Sequence, residues 1–202
     1  MPRINAPTLA EHVAQQEAAV IDAARRLFTA RGVRQVSLGD IADEVGLRRT
    51  SLYRYFPTKA HLVQRWSELT MVPLVEASRA AVSTEGSPDA RLDRWLDVQL
   101  DFMLDDEHAA LVAVSAEMDD LPDDVREQIG AQHRELYATL TPLLTGPAGD
   151  DATLIRTRAL LIAGLVRSAA DLARSGIPLD VVRAELTRTA GFCAGRVRKW
   201  SS

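Results

Sequence analysis

The side chains best suited to recognition chemistry cluster between residues 48 and 59. Arg48, Arg49, Thr50, Ser51, Tyr53, Arg54 and Tyr55 fall in one short run, and Lys59 follows. A guanidinium offers a planar fork of N–H donors that matches the acceptor edge of guanine, while Thr or Ser hydroxyls meet base edges or a thymine methyl. Phenol hydroxyls, and an ammonium at the first turn of a helix, suit phosphate oxygens. An arginine cluster alone is equally well explained as a solvated helix face. The flanking phenols shift the balance, because an exposed Tyr beside Arg has little structural reason to exist.

These residues need a frame. Residues 36–56 read as two short helices about a tight turn, roughly Leu38–Val45 and Arg48–Tyr55. Ser37 followed by Asp40 is a capping-box pattern. Ala42 is small where two helices must approach, Gly46 can take the left-handed turn conformation, and Leu47 and Leu52 can anchor the second helix on the first.

Helical spacing of apolar residues dominates the rest of the chain, which predicts an all-α fold of nine helices. A first helix over about residues 9–30 has Thr8 as its N-cap and Gly32 after its end. A fourth runs from after Thr58 to about Ser83, and Glu85-Gly86-Ser87-Pro88 breaks the chain. Further helices are expected to about Leu104, over 107–118, to about Leu144, over 151–175 and over 179–197, with breaks at 119–124, 146–149 and 176–178. The expected division is a three-helix head over 1–57, with a frayed tail over 1–8, and a larger second domain over 58–202.

Charge follows the same division. Residues 1–65 hold ten basic and six acidic side chains, and the remainder holds fourteen basic and twenty-two acidic, for a net charge of −4. A basic head on an acidic body fits a nucleic-acid reader with a separate sensing or pairing domain. The single cysteine, Cys193, makes no intramolecular disulfide and reads as a packed thiol in a reducing, cytoplasmic setting. No secretory pattern opens the sequence, and the longest apolar stretch, Ala159–Val166, is too short to span a bilayer. His12, His61, His108 and His133 lack metal-ligand spacing, and no nucleophile elbow or phosphate loop occurs. The chain is therefore expected to be no enzyme and to need no cofactor or metal. A dimeric helical adaptor is the remaining alternative, and it leaves Arg48, Arg49 and Tyr53 without a role.

The N-terminal third resembles the TetR family of bacterial transcriptional regulators. The resemblance rests on Ala23-Ala24-Arg25-Arg26-Leu27-Phe28, Gly32, Ile41-Ala42, Gly46-Leu47 and Leu52-Tyr53-Arg54-Tyr55-Phe56-Pro57-Thr58-Lys59-Ala60-His61-Leu62. Two positions depart from the pattern: Val33 replaces an aromatic, and Arg48 replaces the Ser or Thr that usually caps the recognition helix. The resemblance implies base contacts from Arg48, Arg49, Thr50 and Arg54, and phosphate contacts from Ser37, Ser51, Tyr53, Tyr55 and Lys59. It also implies a homodimer on a palindromic double-stranded operator, mostly as a repressor released by a small-molecule effector.

For the second domain, polar or aromatic groups within apolar stripes mark a candidate effector pocket: Trp66, Trp95, Gln99, Phe102, Met103, Met118, His133 and Tyr137. The apolar sixth helix is expected to be central. The last two helices carry the candidate dimer stripe, Leu161, Gly164, Leu165, Leu172, Leu186 and Phe192.

Overall fold

The computed structural model describes residues 9–118, 121–145 and 151–195. Among them the backbone forms α-helices and one 3-10 turn, with no strand. The helices are α1 Leu9–Arg31, α2 Leu38–Glu44, α3 Arg49–Tyr55, α4 Lys59–Ser83, α5 Pro88–Leu104, α6 Asp106–Ala116, α7 Asp123–Ala138, α8 Thr141–Leu144, α9 Ala152–Arg174 and α10 Leu179–Cys193, with the 3-10 turn at Val33–Gln35. The all-α class is as expected. The Thr8 cap and the 146–149 break lie outside the described residues.

Local signals explain most of the boundaries. Ser87 caps α5 by accepting from the Ala90 N–H at 3.1 Å, with Pro88 in the first turn, where its missing N–H costs nothing. Asp151 caps α9 by accepting from the Thr153 N–H at 3.0 Å. Two boundaries differ from expectation. The helix expected to reach Leu144 stops at Ala138, where the N–H groups of Thr139 and Leu140 bond to Leu136 and Tyr137 and tighten the last turn. The separate turn α8 follows. The final helix closes at Cys193, earlier than its apolar pattern predicts.

Packing divides the chain into two compact units. One takes the residues up to Ser67 together with Ala110–Glu127, and the other takes Glu68–Ala109 and the residues from Gln128 onward. By packing, then, the first turns of α4, the C-terminal part of α6 and the start of α7 go with the head.

The first unit is built on Ala23 and Phe28 of α1, Ile41 and Ala42 of α2, Leu52 of α3 and Trp66 of α4, all 3% exposed or less. Burying one large aliphatic such as Ile41 or Leu52 contributes about 1.5–3 kcal/mol. Leu111 and Val114 of α6 join this cluster, while Val112 is 52% exposed. The expectation that α6 is central is thus corrected for part of its surface: within the apolar run Ala109–Val114, Leu111 and Val114 are buried while Val112 and Ala113 are exposed.

The second unit packs Leu92, Trp95, Leu96 and Leu100 of α5 against Ile162, Val166 and Ala170 of α9 and Val182 and Ala190 of α10. The buried polar side chains Trp95, Thr139, Gln99 and Ser78 are satisfied internally. The Trp95 indole donates to Thr139 Oγ1 at 2.8 Å, and Thr139 donates to the Leu136 carbonyl. Gln99 Nε2 donates to Ser78 Oγ at 2.8 Å, and Ser78 donates to the Leu74 carbonyl. Buried donors left without such partners would cost about 1–3 kcal/mol each.

Candidate nucleic-acid interface

α2 and α3 are joined by a turn in which Gly46 adopts φ +68°, a conformation that favours glycine. The Leu47 N–H reaches back to the Ala42 carbonyl at 2.9 Å and closes the turn. The expected capping box on α2 is present. Ser37 Oγ accepts from the Asp40 N–H at 3.1 Å, and Asp40 Oδ2 accepts from the Ser37 N–H at 2.8 Å. The Ser37 hydroxyl also donates to Asp40 Oδ2 at 2.7 Å. That hydroxyl bond, then the Ser37 N–H, hold the Asp40 carboxyl below its ordinary pKa, with Arg31 and Arg49 adding favourable charge.

α3 is anchored by Leu52, fully buried, and by Phe56 just beyond its end. Helical spacing then turns Thr50 and Arg54 to the opposite side and Tyr53 to the flank, while Arg49, three residues before Leu52, leans toward α2; all four are exposed. Arg48 is also exposed and Ser51 is half-buried. Arg48 occupies the N-cap position with no side-chain capping bond. Three arginines therefore share one short helix in three different settings. Arg48 has no partner among the described residues. Arg49 Nη2 pairs with Asp43 Oδ2 of α2 at 3.2 Å. Arg54 lies over the Tyr55 ring, 5.2 Å from its centroid, and donates to the phenol oxygen at 3.3 Å. Exposed pairs of this kind add little stability, with a median of about 0–1 kcal/mol. Their effect is to narrow where each guanidinium can point.

Lys59 is set differently. It is half-buried at the start of α4, and its ammonium donates to the Val33 carbonyl at 2.6 Å. The neighbouring Val33 N–H is held by Glu117 Oε2 at 3.0 Å, and Arg34 Nε donates to the Glu117 carbonyl at 3.2 Å. Val33, the position without the aromatic, is itself buried.

Sequence reasoning missed Asp43 and Glu117. The first faces Arg49 across the helix-turn-helix bend, and the second lies 84 residues from its partner. Neither spacing falls within a helix period. A search for opposite charges spanning the turn would have found Asp43. No local signal points to Glu117.

The candidate pocket residues fall in separate units. Trp66 and Met118 pack in the first, where the Arg25 guanidinium lies 5.5 Å from the Trp66 ring centroid. Trp95 and Gln99 are buried in the second, and Phe102, Met103 and Tyr137 pack there half-buried. His133, expected inside an apolar stripe, is exposed, and its ring bonds to the Ile129 carbonyl one turn back. His108, not among the pocket candidates, has its ring centroid 4.3 Å from that of Phe102, and its buried Nδ1 has no hydrogen-bond partner among the described residues. Burial lowers the pKa of its imidazole, and the Arg174 charge lowers it further.

In the candidate dimer stripe, Leu161, Leu172 and Phe192 are about half exposed, Gly164 is exposed and Leu165 is half-buried. Leu186 is 6% exposed. It is committed to the core of its own chain and leaves no surface for a partner, which corrects its place in the stripe. Cys193 is half-buried at the edge of the same core. Among the described residues no cluster of metal-ligating side chains occurs, and no helix is long and apolar enough to cross a membrane.

The two short helices about the Gly46 turn, with a cationic second helix, have the arrangement of a helix-turn-helix carried on an all-α chain. Residues 20–65 match the family model described as bacterial regulatory proteins, tetR family, so this segment is similar to the DNA-binding part of that family. Over 54 residues the chain is 43% identical to the HTH-type transcriptional regulator TtgR of Pseudomonas putida, covering 27% of this chain and 26% of that one. The chain thus aligns with about a quarter of the length of that curated relative. Its fold matches a bacterial regulatory protein in the tetR family from Rhodococcus RHA1, with TM-score 0.69, 19% identity and coverage of 91% and 99% of the two chains. It also matches the transcriptional regulator FadR from Bacillus subtilis in complex with stearoyl-CoA, with TM-score 0.66, 16% identity and coverage of 86% and 96%.

Proposed function

We propose that the chain is a cytoplasmic, ligand-responsive transcriptional regulator that binds a palindromic operator as a homodimer and is released from it by a small hydrophobic or aromatic effector. The observation that carries this reading is the exposed set of Arg49, Thr50, Tyr53 and Arg54 on a helix that Leu52 anchors to the core. Arg48, Arg49, Thr50 and Arg54 read base edges. Ser51, Tyr53, Tyr55 and Lys59 meet phosphates, as does Ser37 once its hydroxyl turns from Asp40.

Function divides near residue 57, with DNA binding before it and sensing and pairing after it. Dimerisation uses Leu161, Gly164, Leu165, Leu172 and Phe192, and the two-fold axis sets the spacing of the recognition helices. The effector site draws on Trp95, Gln99, Phe102, Met103 and Tyr137 of the second unit, with His108 and His133 beside them. Structural relatives crystallised with stearoyl-CoA or choline support a small-molecule effector. An effector that prefers a wider separation of the two heads lowers operator affinity by its differential binding energy.

Hydroxyl-radical footprinting on the DNA upstream of the protein's own coding sequence tests this reading. Two protected half-sites about 34–36 Å apart, or a multiple of that, are expected. Uniform or absent protection would contradict the proposal.

A further inference from the structure

Arg49 differs from its neighbours in being held from a second helix. Its guanidinium lies over the first turn of α2, where Gly39 is buried beneath it. A Cβ placed on Gly39 would stand 2.8 Å from Arg49 Cζ, 2.9 Å from Nε and 3.1 Å from Nη2. Those three near-equal separations describe a guanidinium laid flat across the glycine, closer than any side chain at that position would permit. Asp43, one turn further along α2, takes a hydrogen from Nη2 at 3.2 Å. Glycine favours the helix less than alanine would, and the pair is exposed enough to add little stability. An acidic side chain beside a duplex also repels phosphate. The arrangement thus opposes both helix stability and general DNA affinity, and positioning is what it supplies in return.

We propose that Gly39 and Asp43 form a cradle on α2 that fixes the Arg49 guanidinium in one plane, so that the head selects guanine at one operator position. This rests on the DNA-binding reading above. Gly39 is the floor, Asp43 fixes the rotation, and Nη1 keeps its hydrogens without a partner among the described residues. The exposed end of the fork then meets guanine O6 and N7 as a bidentate donor with little rotamer freedom left to lose. Asp43 and Gly39 are positioning residues, and Arg49 is the group that touches the base.

The test is selection of bound sequences from a pool of short duplexes with randomised interiors, using the full chain and its Arg49→Ala, Asp43→Asn and Gly39→Ala variants. Fluorescence anisotropy on the winning duplex and its single-base variants follows, with thermal melting of each protein. The unaltered chain is expected to enrich a guanine that Arg49→Ala no longer selects. At that position Asp43→Asn and Gly39→Ala lose preference roughly tenfold, within the range expected for one bidentate contact. Preference elsewhere holds; melting temperature holds in Asp43→Asn and holds or rises in Gly39→Ala, since the clash at Gly39 is with the movable end of a side chain and alanine favours the helix. If Asp43→Asn instead tightens binding to every duplex and keeps the same guanine preference, Asp43 is only a surface charge and the cradle is overturned. Loss of melting temperature without loss of base preference overturns it equally. If the unaltered chain enriches no sequence, the DNA-binding reading fails and takes the cradle with it.

Discussion

Lys59 Nζ donates to the carbonyl of Val33 at 2.6 Å, tying the first turn of α4 to the turn that follows α1. A residue placed by its sequence context at a phosphate thus has a structural partner as well. Lys59→Met keeps the stem and removes the charge. It is expected to lower stability by about 1.5–3 kcal/mol, the range for a hydrogen bond to a charged group. If Lys59 also meets a phosphate, the salt slope of DNA binding falls by about one. Denaturant melts and anisotropy titrations on the same variant separate the two roles.

Arg48 caps α3 without a capping bond. Arg48→Ser restores the bond and removes a cation from a helix N-terminus, so stability is expected to rise by about 1 kcal/mol. Operator affinity should fall in the same variant. Affinity that holds or improves would remove Arg48 from the set of DNA contacts.

His108 gives the second unit a pH dependence. Burial, then Arg174, with His133 and Arg167 adding to the effect and Asp105 opposing it, lower its folded pKa from 6.5. The unfolded chain therefore takes up this proton more readily than the folded chain. Stability is complete above 6.5 and is lost as pH falls from there through the lowered folded value. Melting temperature followed downward from neutral pH should drop less steeply in His108→Phe than in the unaltered chain. Parallel curves would show that the histidine titrates as it does in the unfolded chain.

Leu161 and Phe192 are 54% and 47% exposed, large areas for apolar side chains on one chain. Leu161→Glu with Phe192→Glu should leave the fold intact, because exposed substitutions usually stay within about 0.5 kcal/mol. Sedimentation is expected to report a dimer for the unaltered chain, as proposed above, and a monomer for the variant. A variant that stays dimeric would place the interface elsewhere.

What the sequence disclosed depended on how far apart the interacting groups lie. The Ser37–Asp40 cap, the Gly46 turn and the Leu52 anchor are local devices, and the expected residues occupy them. The outward face of α3 followed from the same helical period. Asp43 and Glu117 were invisible because their partners lie across a turn or 84 residues away. Apolar periodicity also cannot say which neighbour covers a face. Leu186 and Leu161 sit in similar stripes, yet the first is core and the second is exposed. Hydrogen bonding settled the break after Ala138, where the ladder tightens to shorter-range bonds that no pattern of residue types marks.

The central claim is that α3 meets a duplex through its cations, and the salt dependence of binding tests it most directly. Anisotropy titrations of the unaltered chain and an Arg48→Ala/Arg49→Ala/Arg54→Ala variant, on the upstream duplex and on a shuffled duplex, supply the numbers. For the unaltered chain, log K should fall linearly with log salt and the upstream duplex should be preferred. The triple variant should lose that preference and show a shallower slope. Identical slopes and identical preference for the two proteins would contradict the account.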